Sequence, residues 1–476
     1  MSAAFALPWL VMGPLLAAIA SQLLAPRHRA ALAGVFALVQ WHATLRLAGA
    51  GDVTQALGGW EAPLGITLAA DGMAVGMLCL TGVVATLCGV YATRYLRDEP
   101  AAGAWFWPLF WFLWAALNVI WLSGDVFNLY VGLELLGLAA VGLVALRGSA
   151  EALAASLRYL LAALLGSLAY LLGVALLYGH YGTLSLSGLA AAADGGATTA
   201  VALALMAVGL MLKTALFPLH GWLPPAHGGA LTPVSALLSA LVIKASFYIL
   251  LRLWWALEPA ALPSAATLLG LLGAAAVLWG GWMAWRQSVL KQLVAYSTVA
   301  QIGYLFLFFP LAAAGGEAAT LARDGMLLML VSHALAKAAM FLGAGNLILS
   351  SGSERIADLA GINRVRILAL VSFGIAGVSI MGLPPSGGFT AKWLLLQSAL
   401  TGGQWGWIAV LLGGSLLAAL YVFKVFHQAY LDGPAEARFI RPSRTLELPA
   451  LLLALASVAV GLFGQATLGW FGAGGT

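Results

Sequence analysis

Charge is scarce in this sequence. Asp, Glu, Lys and Arg make up 8% of its 476 residues, where soluble globular proteins carry about 25%. With 62% hydrophobic residues, this excludes a water-facing surface over most of the chain. It also overrides the several soluble domains that length alone would suggest. Cysteine is equally scarce. Cys79 and Cys88 share one apolar segment, which leaves no disulfide framework and no cysteine motif for a metal or an iron–sulfur cluster. The net charge of +5 is not gathered into a basic stripe, so nucleic acid is not an expected partner. Neither a haem motif, a Rossmann fingerprint, HxxxH nor a paired acidic motif occurs. No cofactor, metal or catalytic residue is expected, and any redox chemistry would belong to partner chains.

What the chain has in abundance is long apolar runs. A membrane span needs about 20 mostly apolar residues. The sequence supports fourteen, from 5–24 to 448–471. The opening MSAAFALPWLVMGPLLAAIA has its first positive charges, Arg27 and Arg29, behind it, which fits an uncleaved first span better than a signal peptide. The seventh span, 198–217, is broken at Pro218, Pro224 and Pro225, with PLHGWLPPAHGG behind it. The twelfth, 366–401, is broken at Pro384 and Pro385. The expected fold is an all-α polytopic membrane protein.

The basic residues supply a check on that count. With the N-terminus outside, fourteen Lys and Arg fall on the inner side, Arg147, Arg158, Lys291, Arg366, Arg438 and Arg441 among them; Arg46, Arg252 and Arg323 fall outside. A miscounted helix would scramble this asymmetry. It predicts a multi-pass protein of a bacterial-type inner membrane with both termini outside.

Five lysines remain, and all sit within spans: Lys213, Lys244, Lys337, Lys392 and Lys424. Glu134 does too. A charge at mid-membrane costs about 2.5–3.5 kcal/mol on insertion scales. Lys424 lies close to HQAYLDG, so its stem can snorkel to the headgroups, and an anchor and a relay role stay open. Lys291 opens its helix and reads as an anchor on the inner side. For Lys213, Lys244, Lys337 and Lys392 snorkelling explains little. Glu134 follows Asp125 by nine residues, which at about 1.5 Å per residue places it roughly 13 Å deep. A carboxylate there must be neutral or paired, and Lys213 is the candidate partner. His333 and Lys337 are four apart and share a helix face. Both can carry protons: burial lowers the charge affinity of lysines in general, and histidine titrates near neutrality. A structural His–Lys patch would explain one such pair but not a row across five helices. That row reads as a proton relay of Glu134, Lys213, Lys244, His333, Lys337 and Lys392. His220 and His227, beside the seventh-span break, are candidates for proton intake or for simply satisfying loop carbonyls.

The spacing from Lys213 to Lys244 is 31 residues and from Lys392 to Lys424 is 32, each pair starting on a broken helix. That points to two inverted five-helix repeats, a known transporter plan. The expected division is a three-helix segment over 1–104, repeats over 105–257 and 258–432, and a final loop and helix over 433–476.

Several stretches also resemble a known family. GDVFNLYVGLELL around Glu134, LKTALFPLHGWLPPAHGGALTPVSALLSALVIKASFYILLR across Lys213 and Lys244, LKQLVAYSTVAQIGYL, HALAKAAMFLGAG and GLPPSGGFTAKWLL around Lys392 are similar to the antiporter-like subunits of respiratory complex I and of Mrp-type sodium/proton antiporters. The resemblance covers nearly the whole chain. It implies a Glu134–Lys213 pair, with Lys244, Lys337 and Lys392 continuing a central polar axis. WEAPLGITLAADGMAVGMLCLTGV and LLYGHYGTLSLSGLA resemble the D subunit of Mrp antiporters. The implied function is a proton-translocating membrane subunit of a multisubunit cation/proton antiporter, with other hydrophobic subunits as partners and protons and sodium as ions. The alternatives are a proton-pumping subunit of a complex I-like NADH:quinone oxidoreductase or membrane-bound hydrogenase, and a proton-driven subunit of a bicarbonate/CO2 uptake complex.

Overall fold

Backbone groups in hydrocarbon have no water to bond, so apolar runs satisfy themselves as helices. The computed structural model describes residues 3–257, 263–365, 367–433, 439–440 and 442–472. Arg366, Arg438 and Arg441 of the inner charge count lie outside the described residues. In chain order the helices are α1 (Ala3–Leu23), α2 (Pro26–Ala48), α3 (Gly72–Tyr95), α4 (Pro100–Leu122), α5 (Val126–Ala145), α6 (Ala150–Tyr181), α7 (Leu186–Ala192), α8 (Ala197–Thr214), α9 (Leu223–Gly229), α10 (Thr232–Leu237), α11 (Ile243–Leu257), α12 (Pro263–Arg286), α13 (Leu290–Phe306), α14 (Phe308–Ala312), α15 (Gly316–Ser351), α16 (Ile367–Met381), α17 (Gly387–Thr401), α18 (Trp405–Tyr430), α19 (Arg444–Leu462) and α20 (Gly464–Trp470). Among the described residues, thirteen helical stretches are long and apolar enough to cross a membrane. The chain is an all-α polytopic membrane protein. The expected twelfth span is a pair of 15-residue helices, α16 and α17.

Several elements run beyond their apolar windows. α6 has 32 residues and α15 has 36, longer than a hydrocarbon core about 30 Å thick requires. Their ends are set by local chemistry. Ser149 caps α6 by accepting from the Ala152 N–H, and glycines in the left-handed region, Gly182 and Gly352, close α6 and α15. A short antiparallel hairpin, β1 (Val53–Ala56) with β2 (Thr67–Ala70), pairs Val53 with Ala70. Hydropathy gave no sign of it.

Burial separates centre from rim. The spans Thr232–Leu257, Leu290–Ala312 and Gly316–Ser351 are 100%, 94% and 100% buried in their apolar windows, against 33% for His28–Ala48 and Trp405–Tyr430. The innermost helices are therefore α10–α11, α13 and α15, which carry Lys244, Lys291, His333 and Lys337. Two glycine contacts hold neighbouring helices unusually close. A Cβ on Gly209 of α8 would stand 2.2 Å from the Gly166 carbonyl of α6, and one on Gly303 of α13 would stand 2.3 Å from the Gly273 carbonyl of α12. Small residues permit such backbone approach where lipid offers no hydrophobic drive.

Candidate functional site

α8 stops one residue after Lys213. The Leu216 N–H bonds the Met211 carbonyl and the Ala215 N–H the Leu212 carbonyl, a Schellman closure. Its left-handed residue is Ala215, at φ +59°, the one non-glycine with positive φ among the described residues. The seventh span thus ends at Thr214, earlier than the apolar run to 217 suggests. The Trp222 indole donates to the Leu212 carbonyl, satisfying another freed acceptor. The Lys213 ammonium lies 3.9 Å from Glu134 Oε1 and donates to the Leu133 carbonyl at 3.2 Å. Glu134 Oε1 has no hydrogen-bond donor from the protein. The two charges are close but not locked by a hydrogen bond.

Lys244 is the second residue of α11, just after a π-helical segment, Leu238–Val242. Such segments often mark functional positions because they displace carbonyls from the regular ladder. The Lys244 ammonium donates to one of them, Ser239 O. Lys337 on α15 donates to the Val294 carbonyl and the Ser297 hydroxyl of α13. Lys392 follows the α16–α17 break. It donates to Ile380 O at 2.9 Å, Met381 O at 3.2 Å and Ser415 Oγ at 3.1 Å, and lies 4.4 Å from the centre of the Tyr304 ring. The first two acceptors end α16, where the helix dipole favours a cation. The prolines that break the span therefore expose the carbonyls that hold the lysine.

His333 is 2% exposed, and neither ring nitrogen meets a protein donor or acceptor. The charged groups facing it are Lys244, Lys337 and Lys392. His227 and His220 part company. His227, on α9, is fully buried, with both nitrogens unpartnered. It stacks on Phe341 at 4.6 Å, and the Lys337 ammonium sits 5.5 Å from that same ring. His220 is half-buried beside Phe217 and does not reach this cluster. Lys424 donates to Trp285 O and Gln287 O at the end of α12. It caps a helix there, which favours the anchor role.

Lys291 corrects the sequence reading. It is 3% exposed and donates to the Ala230 carbonyl, so it is not a surface anchor. The signal lay in its neighbours: a lysine on a helix buried on every side cannot reach the headgroups. Among the described residues, no group of three His, Cys, Asp or Glu could hold a metal ion.

These features define a polytopic helical protein with a row of buried ammonium groups, each held by protein oxygens. The chain belongs to the NADH:quinone oxidoreductase/Mrp antiporter transmembrane family, matching it over residues 123–418. That stretch holds every relay candidate and stops short of Lys424. The chain is 38% identical to the N subunit of the NADH-quinone oxidoreductase of Desulforudis audaxviator, covering 86% of this chain and 84% of that one. It is 30% identical to the D subunit of the Na(+)/H(+) antiporter of Alkalihalophilus pseudofirmus, covering 79% and 75%. Its fold superposes on a chain of the Mrp complex from Dietzia sp. with a TM-score of 0.88 at 27% identity, over 100% of this chain and 97% of that one.

Proposed function

We propose that this chain is the proton-translocating membrane subunit of a multisubunit cation/proton antiporter of the Mrp type, carrying protons along Glu134, Lys213, Lys244, His333, Lys337 and Lys392. The observation that carries this is the row itself. Lys213, Lys244, Lys337 and Lys392 are all buried and donate to backbone carbonyls, while His333 keeps two unpartnered nitrogens among three of them. A carbonyl holds an ammonium without neutralising it, so Lys244, Lys337 and Lys392 each have a defined place on protein oxygens, and Lys213 alone has a carboxylate, Glu134, beside it. Opening the Glu134–Lys213 pair releases a proton toward Lys244, and transfers through His333 and Lys337 bring it to Lys392. The charge asymmetry supports both termini outside a bacterial-type inner membrane. The paired breaks support two inverted five-helix repeats, over 105–257 and 258–432. Other hydrophobic subunits are its partners.

A second reading is a proton-pumping subunit of a complex I-like oxidoreductase. The 38% identity to an oxidoreductase N subunit favours it. The relay residues are the same in both readings; the driving force differs. Gentle solubilisation and mass spectrometry of the intact complex separates them. Small hydrophobic subunits without redox centres, with sodium/proton exchange in vesicles, support the antiporter; iron–sulfur partners support the oxidoreductase. Within either complex, Glu134→Ala or Lys213→Ala should abolish transport while insertion stays intact, since both remove an insertion penalty. Wild-type transport by these variants would refute the relay.

A further inference from the structure

On the side where the sequence places Arg147 and Arg158, a cavity of about 660 Å³ is lined by both arginines, Glu151, Glu354, Gln292 and the Gly228–Gly229 pair, among others. Its charges balance, and Arg147 is paired with Glu354 at 3.3 Å. A hydrated vestibule fits this lining better than an anion site does. Its floor is thin. The Gln292 amide donates to the Pro224 carbonyl, and a Cβ on Gly228 would stand 2.3 Å from that amide nitrogen, so a larger residue there would displace the Gln292 side chain. Lys291 does not itself line the cavity, but it precedes the lining residue Gln292 and its ammonium bonds the carbonyl of Ala230, the residue after the lining residue Gly229. His227, one residue before Gly228, is fully buried with both ring nitrogens free of protein partners.

Resting on the relay reading above, we propose that this vestibule and Lys291 form the proton intake of the chain, Lys291 taking protons from cavity water and handing them through His227 to Lys337. The groups facing Lys291 are Glu354 and Arg147; those facing His227 are Lys291, Lys337 and Lys244. Glu354 offers carboxylate oxygens to cavity water, and the arginine paired with it cannot give up a proton. The transfers involve only N–H bonds. Neutral Lys291 gains a proton from hydronium, the proton passes to a free imidazole nitrogen of His227, and Lys291 returns to its amine. The shared contact of His227 and Lys337 with Phe341 places the last step beside the central axis.

The test uses the assembled complex in vesicles. Lys291→Arg keeps a cation able to donate to the Ala230 carbonyl but unable to release a proton. The expected result is normal assembly with loss of most transport; assembly with wild-type transport would overturn the proposal. Ala154→Cys, on the cavity wall, covers the case in which Lys291→Arg does not assemble. A bulky, membrane-impermeant thiol reagent applied from the cavity side should block transport in that variant and spare the parent, whose Cys79 and Cys88 are buried. Complete labelling with transport unchanged overturns the intake. Lys337→Ala, run in parallel, separates the two levels. If it abolishes transport while Lys291→Arg does not, the intake alone is wrong; if it too transports normally, the relay beneath it fails.

Discussion

Gly209→Ala tests how the Glu134–Lys213 pair is held in place. The added methyl would stand 2.2 Å from the Gly166 carbonyl and 3.0 Å from the Tyr170 nitrogen, against an ordinary contact of 3.4–4 Å. Its nearest neighbours are backbone and cannot rotate away, so α6 and α8 must separate by about 1 Å. Overpacking of this kind costs about 1–3 kcal/mol. The effect should reach the site, because Gly166 also faces Lys213: a Cβ there would lie 3.1 Å from the Lys213 Cγ. A cavity of about 10 Å³ adjoins Lys213, with Tyr159 and Ala163 of α6 in its wall, and is at the limit for one water. Separating the helices enlarges this space and frees the lysine stem. The expected result is a lower melting midpoint of the purified complex and a transport rate reduced about tenfold, in keeping with the sensitivity of positioned groups to displacements near 1 Å. Gly179→Ala, on the same α6 with open space at its Cβ, is the control and should be neutral or slightly stabilising. An unchanged melting midpoint and transport rate in Gly209→Ala would refute the claim that this contact sets the position of Lys213.

Lys424→Ala should cost about 1 kcal/mol of local stability, the net worth of a hydrogen bond, and leave transport largely intact, because its ammonium caps α12 at Trp285 O and Gln287 O; complete loss of transport would promote it into the relay. Ser297→Ala removes the side-chain acceptor of Lys337 and leaves the Val294 carbonyl, so transport should slow without vanishing, as vesicle assays would show. Outside the membrane, the Tyr181 hydroxyl, then the Gly196 N–H, with Thr199 and His180, holds the Asp194 carboxyl below its ordinary value of 3.8. A depressed carboxylate contributes stability above its unfolded pKa and loses it as pH falls through the folded one. Asp194→Asn should therefore raise hydrogen exchange in the loop before α8 at neutral pH, with the difference from the parent disappearing under strong acid.

The breaks and the buried lysines were legible in the sequence because each violates a strong local rule. Pro218, Pro384 and Pro385 cannot continue a helix, and a lysine in an apolar run carries an insertion cost that must be offset somewhere. What stayed hidden depends on neighbours. Lipid and protein interior are equally apolar, so an apolar helix does not announce which of them it faces; Lys291 reads as an anchor until α13 is seen surrounded. The π segment at Leu238–Val242 leaves no mark in hydropathy, and the ends of α6 and α15 are set by caps outside the apolar windows. His227 was readable as a residue beside a break, but its stacking on Phe341 joins two segments more than a hundred residues apart, a fact of packing alone.

The lysines also show why a broken helix and a buried cation occur together. A carbonyl inside a regular helix already accepts one backbone bond and has only its second lone pair for an ammonium, as at Leu133 and Val294, whereas a carbonyl freed by a break has both. Here Lys392 binds the last carbonyls of α16 and Lys244 a carbonyl of the π segment. Each irregularity supplies an acceptor where hydrocarbon supplies none. Lys213 differs: its own helix ends beside it, but its ammonium turns to a carbonyl of α5 and to Glu134. Of the four lysines in the proposed relay it is the one held by a carboxylate as well as by backbone, and so the one whose surroundings a movement of α5 against α8 would change most. The glycine contact between α6 and α8 bears on that same lysine, so in the proposed relay the Lys213 end is where helix motion and proton transfer would be coupled.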